Sequence, residues 1–157
     1  MQCRGRLRTL LLGVVVALAG CGGTRGAVHA TPQFVAIADT ICANANSEIA
    51  ALPASGRTLQ ALAVTAAREL PIVRLELTQL SALTAPAPRE AQFEAALATT
   101  RREDDLVSRL IAAVRAGDIT RVTTLALRGR AVAASAQTAM TSLGLSACAR
   151  EAVPHGH

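Results

Sequence analysis

Few residues in this chain carry side chains that do chemistry, and their spacing limits what that chemistry is. The histidines are His29, His155 and His157. The last two form a His-Gly-His tail, and none falls in a helical pattern. A di-iron site in a helical bundle needs Glu-x-x-His pairs projecting from facing helices, and no such pair is present. A nucleophilic triad needs a histidine held by regular structure to take the proton. A phosphate cradle needs a glycine-rich loop ahead of a helix, and none is found. Two histidines on a tail are a poor metal site, so neither a metal nor another cofactor is expected. Acids cluster at Glu103-Asp104-Asp105, and Glu90 and Glu94 lie one turn apart. These read as a solvated face, with one exception.

The exception is Asp104. The helical seam around it counts Phe93, Leu97, Thr100, Asp104, Val107, Ile111, Val114, so a carboxylate interrupts an apolar stripe. Arg128, next to Gly129, occupies a comparable zone of a later helix, and Arg74 lies in an earlier one. Asp104 is expected to pair with one of these arginines inside the fold. A buried pair serves packing specificity more than net stability. The alternative is that it lines a small polar pocket for a small molecule or metal.

The elements that would hold these residues are helical. Ala, Leu and Arg dominate, all good helix formers. Apolar residues recur at spacings of three and four. A first helix is expected over 32–52, with Phe34, Ile37, Ile41, Ala45, Ile49 and Leu52 on one face. Thr31 would cap it, with Pro32 in its first turn. A second helix is expected over 58–83, with Leu59, Ala63, Ala66, Leu70, Val73, Leu77 and Leu80 as its seam. Pro71 would kink or break it near Leu70. A third is expected over 89–116. Gly117-Asp118 reads as a C-terminal glycine followed at once by an N-cap. A fourth is expected over 119–143, with Val122, Leu125, Val132, Ala136, Met140 and Leu143 inward. Gly144-Leu145 would close it as a Schellman ending. Four amphipathic helices on short connections make an all-α, antiparallel up-down four-helix bundle over residues 32–150. Residues 151–157 read as a disordered tail.

Ahead of the bundle, Arg4, Arg6 and Arg8 precede an uncharged run of ten residues, Leu10 to Ala19. A bilayer span needs roughly 20 apolar residues. The run instead matches the core of an export signal behind a positive segment. Its end, Leu18-Ala19-Gly20-Cys21, resembles the lipobox of bacterial lipoproteins. That resemblance implies cleavage after residue 20 and lipidation of the Cys21 thiol, and Gly22, Gly23 and Gly26 among small residues read as a flexible tether over 21–31. Each buried CH₂ of an acyl chain contributes about 0.8 kcal/mol, so two or three chains hold a protein on a membrane.

With Cys3 removed and Cys21 lipidated, Cys42 and Cys148 remain as a pair. In an exported chain they are expected to form a disulfide, with two buried free thiols as the alternative. The bundle agrees with the bond. An even number of antiparallel helices brings the start of the first and the end of the last to the same end. Beyond the lipobox, Ala38-Asp39, Ile41-Cys42-Ala43, Asn46, Ile49, Leu143-Gly144-Leu145 and Cys148 loosely resemble the frame of helical lipoproteins of high-GC bacteria. That resemblance implies a helical lipoprotein and brings no activity with it.

Charge narrows the partners. The formal net charge is +5, but residues 1–20 hold three arginines and no acid. The remainder carries 13 basic against 11 acidic residues, too balanced for a nucleic-acid footprint. There is no Trp or Tyr and only two Phe, so stacking platforms for single strands are missing. The expectation is a non-enzymatic lipoprotein on the extracytoplasmic face of the cell membrane, held by its lipid and binding or scaffolding an envelope protein. The alternative is a small-molecule or metal-binding lipoprotein that uses the Asp104 pocket.

Overall fold

The computed structural model describes residues 24–53 and 56–150. These form four helices: α1 (Thr24–Ala50), α2 (Leu59–Ser81), α3 (Glu90–Arg115) and α4 (Ile119–Ser142). A 3₁₀ turn, Ala87–Arg89, leads into α3. No strand occurs among the described residues. The architecture is the expected all-α, antiparallel four-helix bundle.

The ends of the helices follow local chemistry. The Thr58 hydroxyl accepts from the Ala61 N–H at 3.1 Å and starts α2. The Asp118 carboxylate accepts from the Arg121 N–H at 3.0 Å and starts α4. Gly117 and Gly144 adopt φ of 69° and 76°. Each closes a Schellman motif. Gly117 N–H donates to Val114 O and Asp118 N–H to Ala113 O, both at 3.1 Å. Gly144 N–H donates to Thr141 O at 2.9 Å and Leu145 N–H to Met140 O at 3.0 Å. Leu145 then folds back into the core, fully buried.

Two boundary expectations need correction. α1 begins at Thr24, within the stretch expected as a tether, so Thr31 is not its cap, Pro32 lies inside it, and His29, expected outside any helix, is part of it. α2 continues through Pro71 without a break. Both prolines are exposed. On that side the carbonyl that loses its partner is solvated by water, and the helix continues past the gap.

The core falls into two clusters. The first gathers Phe34, Ala38 and Cys42 of α1, Leu77 and Leu80 of α2, Phe93, Ala96 and Leu97 of α3, Met140 of α4, and Leu143, Leu145 and Ala147 beyond it. Phe34 and Phe93 meet edge-to-face, centroids 4.9 Å apart. Each fully buried large side chain contributes roughly 1.5–3 kcal/mol. The second cluster joins Ala63 of α2, Ala113 and Val114 of α3, and Val122 and Leu125 of α4. It contains no α1 residue. α1 packs on α2, α2 on α3 and α3 on α4. No Cα of α1 lies within 8 Å of one in α4 among the described residues. The turn after α4 makes the connection between them.

Candidate functional site

That turn is docked by three residues on one face of α1, Asp39, Cys42 and Asn46, spaced i, i+3 and i+7 as a helix face requires. The Asp39 carboxylate accepts from the Ala147 N–H at 2.8 Å and from the Ser146 hydroxyl at 3.0 Å. The Asn46 side-chain amide donates to Ala147 O at 2.9 Å. From the other side, the Gln137 amide on α4 donates to Ala149 O at 2.9 Å. Cys42 and Cys148 are joined by a disulfide with Cα atoms 5.0 Å apart, bridging 106 positions of sequence. Cys42 is fully buried. The bond expected to clasp the two terminal helices thus ties the middle of α1 to the turn beyond α4.

Glu76 of α2 faces this bond. A carboxylate oxygen of Glu76 and the two cysteine sulfurs all lie within 4.8 Å of one another. Burial in this apolar neighbourhood raises the Glu76 carboxyl from 4.5 to about 7. No hydrogen bond or ion pair to Glu76 occurs among the described residues. The arrangement is one acid and two sulfurs from three separate elements, closed to bulk water on the Cys42 side. It can exchange electrons at the sulfurs and a proton at the carboxyl. With both sulfurs as thiolates it offers three metal donors.

Asp104 lies elsewhere, on the α2–α3 face. Its Oδ2 accepts from Arg74 Nε at 3.2 Å, and Arg74 Nη2 also donates to the Ser108 hydroxyl at 2.9 Å. The Arg74 side chain is 56% exposed and that of Asp104 13%. The pair sits at the rim of the bundle rather than inside it. Asp104 Oδ1 is buried without a partner. Arg128 does not join Asp104. It is exposed on α4, where its charged head stays hydrated at no cost, and α2 supplies the cation instead. Thr100, the other break in the stripe, turns its hydroxyl back to Ala96 O at 3.2 Å within its own helix. Cys21, residues 1–20 expected as an export signal, and residues 151–157 expected as a tail lie outside the described residues.

Glu76 does not stand out in the sequence pattern of α2. A seam counted Val73, Leu77, Leu80 steps past it, although Glu76 is i+3 from Val73 and i−4 from Leu80 and so shares their face. Asp39 and Asn46 stood out in the sequence only within the loose resemblance around Cys42, which assigned them no docking role.

Comparison with known proteins finds no match: no family model, no curated protein and no solved structure is similar to this chain.

Proposed function

We propose that this chain is an extracytoplasmic lipoprotein, anchored through Cys21, with a disulfide-clasped helical bundle that serves a non-enzymatic binding or scaffolding role in the cell envelope. The observation that carries the reading is the run ending Leu18-Ala19-Gly20-Cys21 behind Arg4, Arg6 and Arg8. A Cys42–Cys148 bond is consistent with it, because disulfides persist in oxidising compartments. Among the described residues no helix is long and apolar enough to cross a membrane, so those helices offer no anchor in place of a lipid. Only two residues of sequence, Gly22 and Gly23, separate Cys21 from Thr24, where α1 begins, so a lipid on Cys21 would hold the bundle close to the membrane surface. The second reading, a ligand pocket at Asp104, draws less support, since its arginine is largely in solvent.

The test is the intact mass of the protein extracted from its native membrane, before and after reduction. A mass beginning at Cys21 plus acyl chains, gaining two hydrogens on reduction, is expected. A mass that retains residues 1–20, or carries no lipid, overturns the anchor.

A further inference from the structure

The three donors at the clasp point to a property that does not depend on the lipoprotein reading. We propose that, when the disulfide is reduced, Cys42, Cys148 and Glu76 form a binding site for one thiophilic divalent cation of the zinc type, and that the oxidised protein lacks this site.

The geometry suits a tetrahedral metal. In a tetrahedral zinc site, metal–sulfur bonds of about 2.3 Å and metal–oxygen bonds of about 2.0–2.2 Å place neighbouring donors roughly 3.5–3.8 Å apart. The Glu76 oxygen and the two sulfurs already lie within 4.8 Å of one another. They come from α2, α1 and the turn after α4, so the metal would close the same junction that the disulfide closes. Cys42 and Glu76 sit on long helices. Cys148 sits on a short turn held by Asp39 and Asn46, and that turn can yield as the sulfurs separate. A water would complete the four-coordinate set.

Donor chemistry points the same way. Two thiolates select thiophilic metals over magnesium or calcium. Glu76 has no hydrogen-bond or ion-pair partner among the described residues. A carboxylate oxygen is a donor that zinc accepts beside two thiolates. Two thiolates and one carboxylate against a dication leave a net charge of −1, a common outcome for cysteine-rich zinc sites.

The redox step balances with a dithiol reductant, a small dithiol or a protein dithiol. One of its thiolates attacks Cys148, which is less buried than Cys42. Cys42 leaves as a thiolate and takes a proton. The second reductant thiol then resolves the mixed disulfide and releases Cys148. Two electrons and two protons pass to the protein, and the reductant becomes a disulfide. Metal binding then releases the thiol protons. In the oxidised protein the sulfurs are bonded to each other and uncharged, and one carboxylate remains, which is too little to hold a metal.

The test uses the full chain with Cys3→Ser and Cys21→Ser, to remove other thiols, and His29→Ala, His155→Ala and His157→Ala, to remove other nitrogen donors. The protein is reduced with a phosphine under nitrogen and titrated with Co²⁺ alone, as a spectroscopic stand-in for Zn²⁺. Zn²⁺ affinity follows by competition against a chromophoric chelator. Circular dichroism is recorded throughout. One Co²⁺ per reduced chain is expected, with sulfur-to-metal charge-transfer absorption and intense tetrahedral bands, and with the helical signal retained. The oxidised chain should show neither band. Glu76→Gln should weaken the reduced site by at least the roughly 10–100-fold that loss of an outer-shell partner costs. Equal binding by oxidised and reduced protein, no binding by the reduced protein whether folded or unfolded, or a Glu76→Gln affinity equal to that of the parent each overturns the proposal.

Discussion

Glu76 sets a pH dependence on the oxidised protein by itself. Its carboxyl titrates near 7 in the folded state against 4.5 as the ordinary value. Below about pH 4.5 it is protonated in both folded and unfolded chains, and folding carries no ionisation penalty. Between 4.5 and 7 the unfolded chain releases the proton and the folded one keeps it. The unfolded state then binds fewer protons, so stability falls as pH rises through this window. A shift of this size corresponds to about 2–3 kcal/mol, allowing for the part of the side chain that stays in water. Urea unfolding at a series of pH values should show that decline in the parent protein. Glu76→Gln, which cannot ionise, should flatten it. Equal slopes for the two would mean that the carboxyl is better solvated than its position indicates. The Arg74–Asp104 pair offers no comparable lever. Its arginine is largely exposed, and such pairs are worth about 0–1 kcal/mol.

At the scale of the elements, two glycines in one segment respond oppositely to the same change. Gly144 ends α4 at φ 76° with open space around its missing Cβ. Alanine there meets no clash but must hold a left-handed conformation, at a cost of roughly 1–2 kcal/mol. Gly129 lies inside α4, also with nothing near its missing Cβ. Alanine there should stabilise by roughly 0.5–1 kcal/mol, the ordinary helix-propensity gain. Denaturant midpoints for Gly144→Ala and Gly129→Ala should move in opposite directions. A common direction would mean that α4 or its ending differs from the description above. These endings were legible in the sequence because a cap is a local device. Gly117-Asp118 and Gly144-Leu145 carry their hydrogen bonds within a few residues of themselves, as does Thr58. What was not legible depends on neighbours. Asp104 stood out on its stripe, but whether α2 or α4 would supply its arginine depends on how three helices turn about their axes. Glu76 was hidden because its environment is made by α1 and by a turn about 70 positions away in sequence. The start of α1 was misplaced because Pro32 was read as a first-turn residue. On an exposed face a proline also fits inside a helix.

At the scale of the whole bundle, the described residues pack unevenly, with α1 joined to only one of the two core clusters. α1 shares the first core cluster but contributes nothing to the second, and its backbone stays apart from that of α4. Beyond its packing on α2 and the Phe34–Phe93 contact with α3, its attachment runs through the turn at 145–149. That turn is held by the disulfide and by the hydrogen bonds of Asp39 and Asn46. In the chain-entropy model, closing a loop of about 100 residues contributes roughly 4.7 kcal/mol, and measured values often fall below this. The loss on removing the bond should therefore be uneven. In the Cys42→Ser, Cys148→Ser double variant, hydrogen exchange should speed up first along α1 from Phe34 to Ile49. The amides around Val114, Val122 and Leu125, in the cluster that α1 never reaches, should keep protection set by their own packing. Single loss of Asp39 by substitution to alanine should give the same pattern more weakly, since it frees the turn while leaving the covalent link. Uniform loss of protection along all four helices would show instead that the bundle opens as one cooperative unit, with α1 as integral to it as α3.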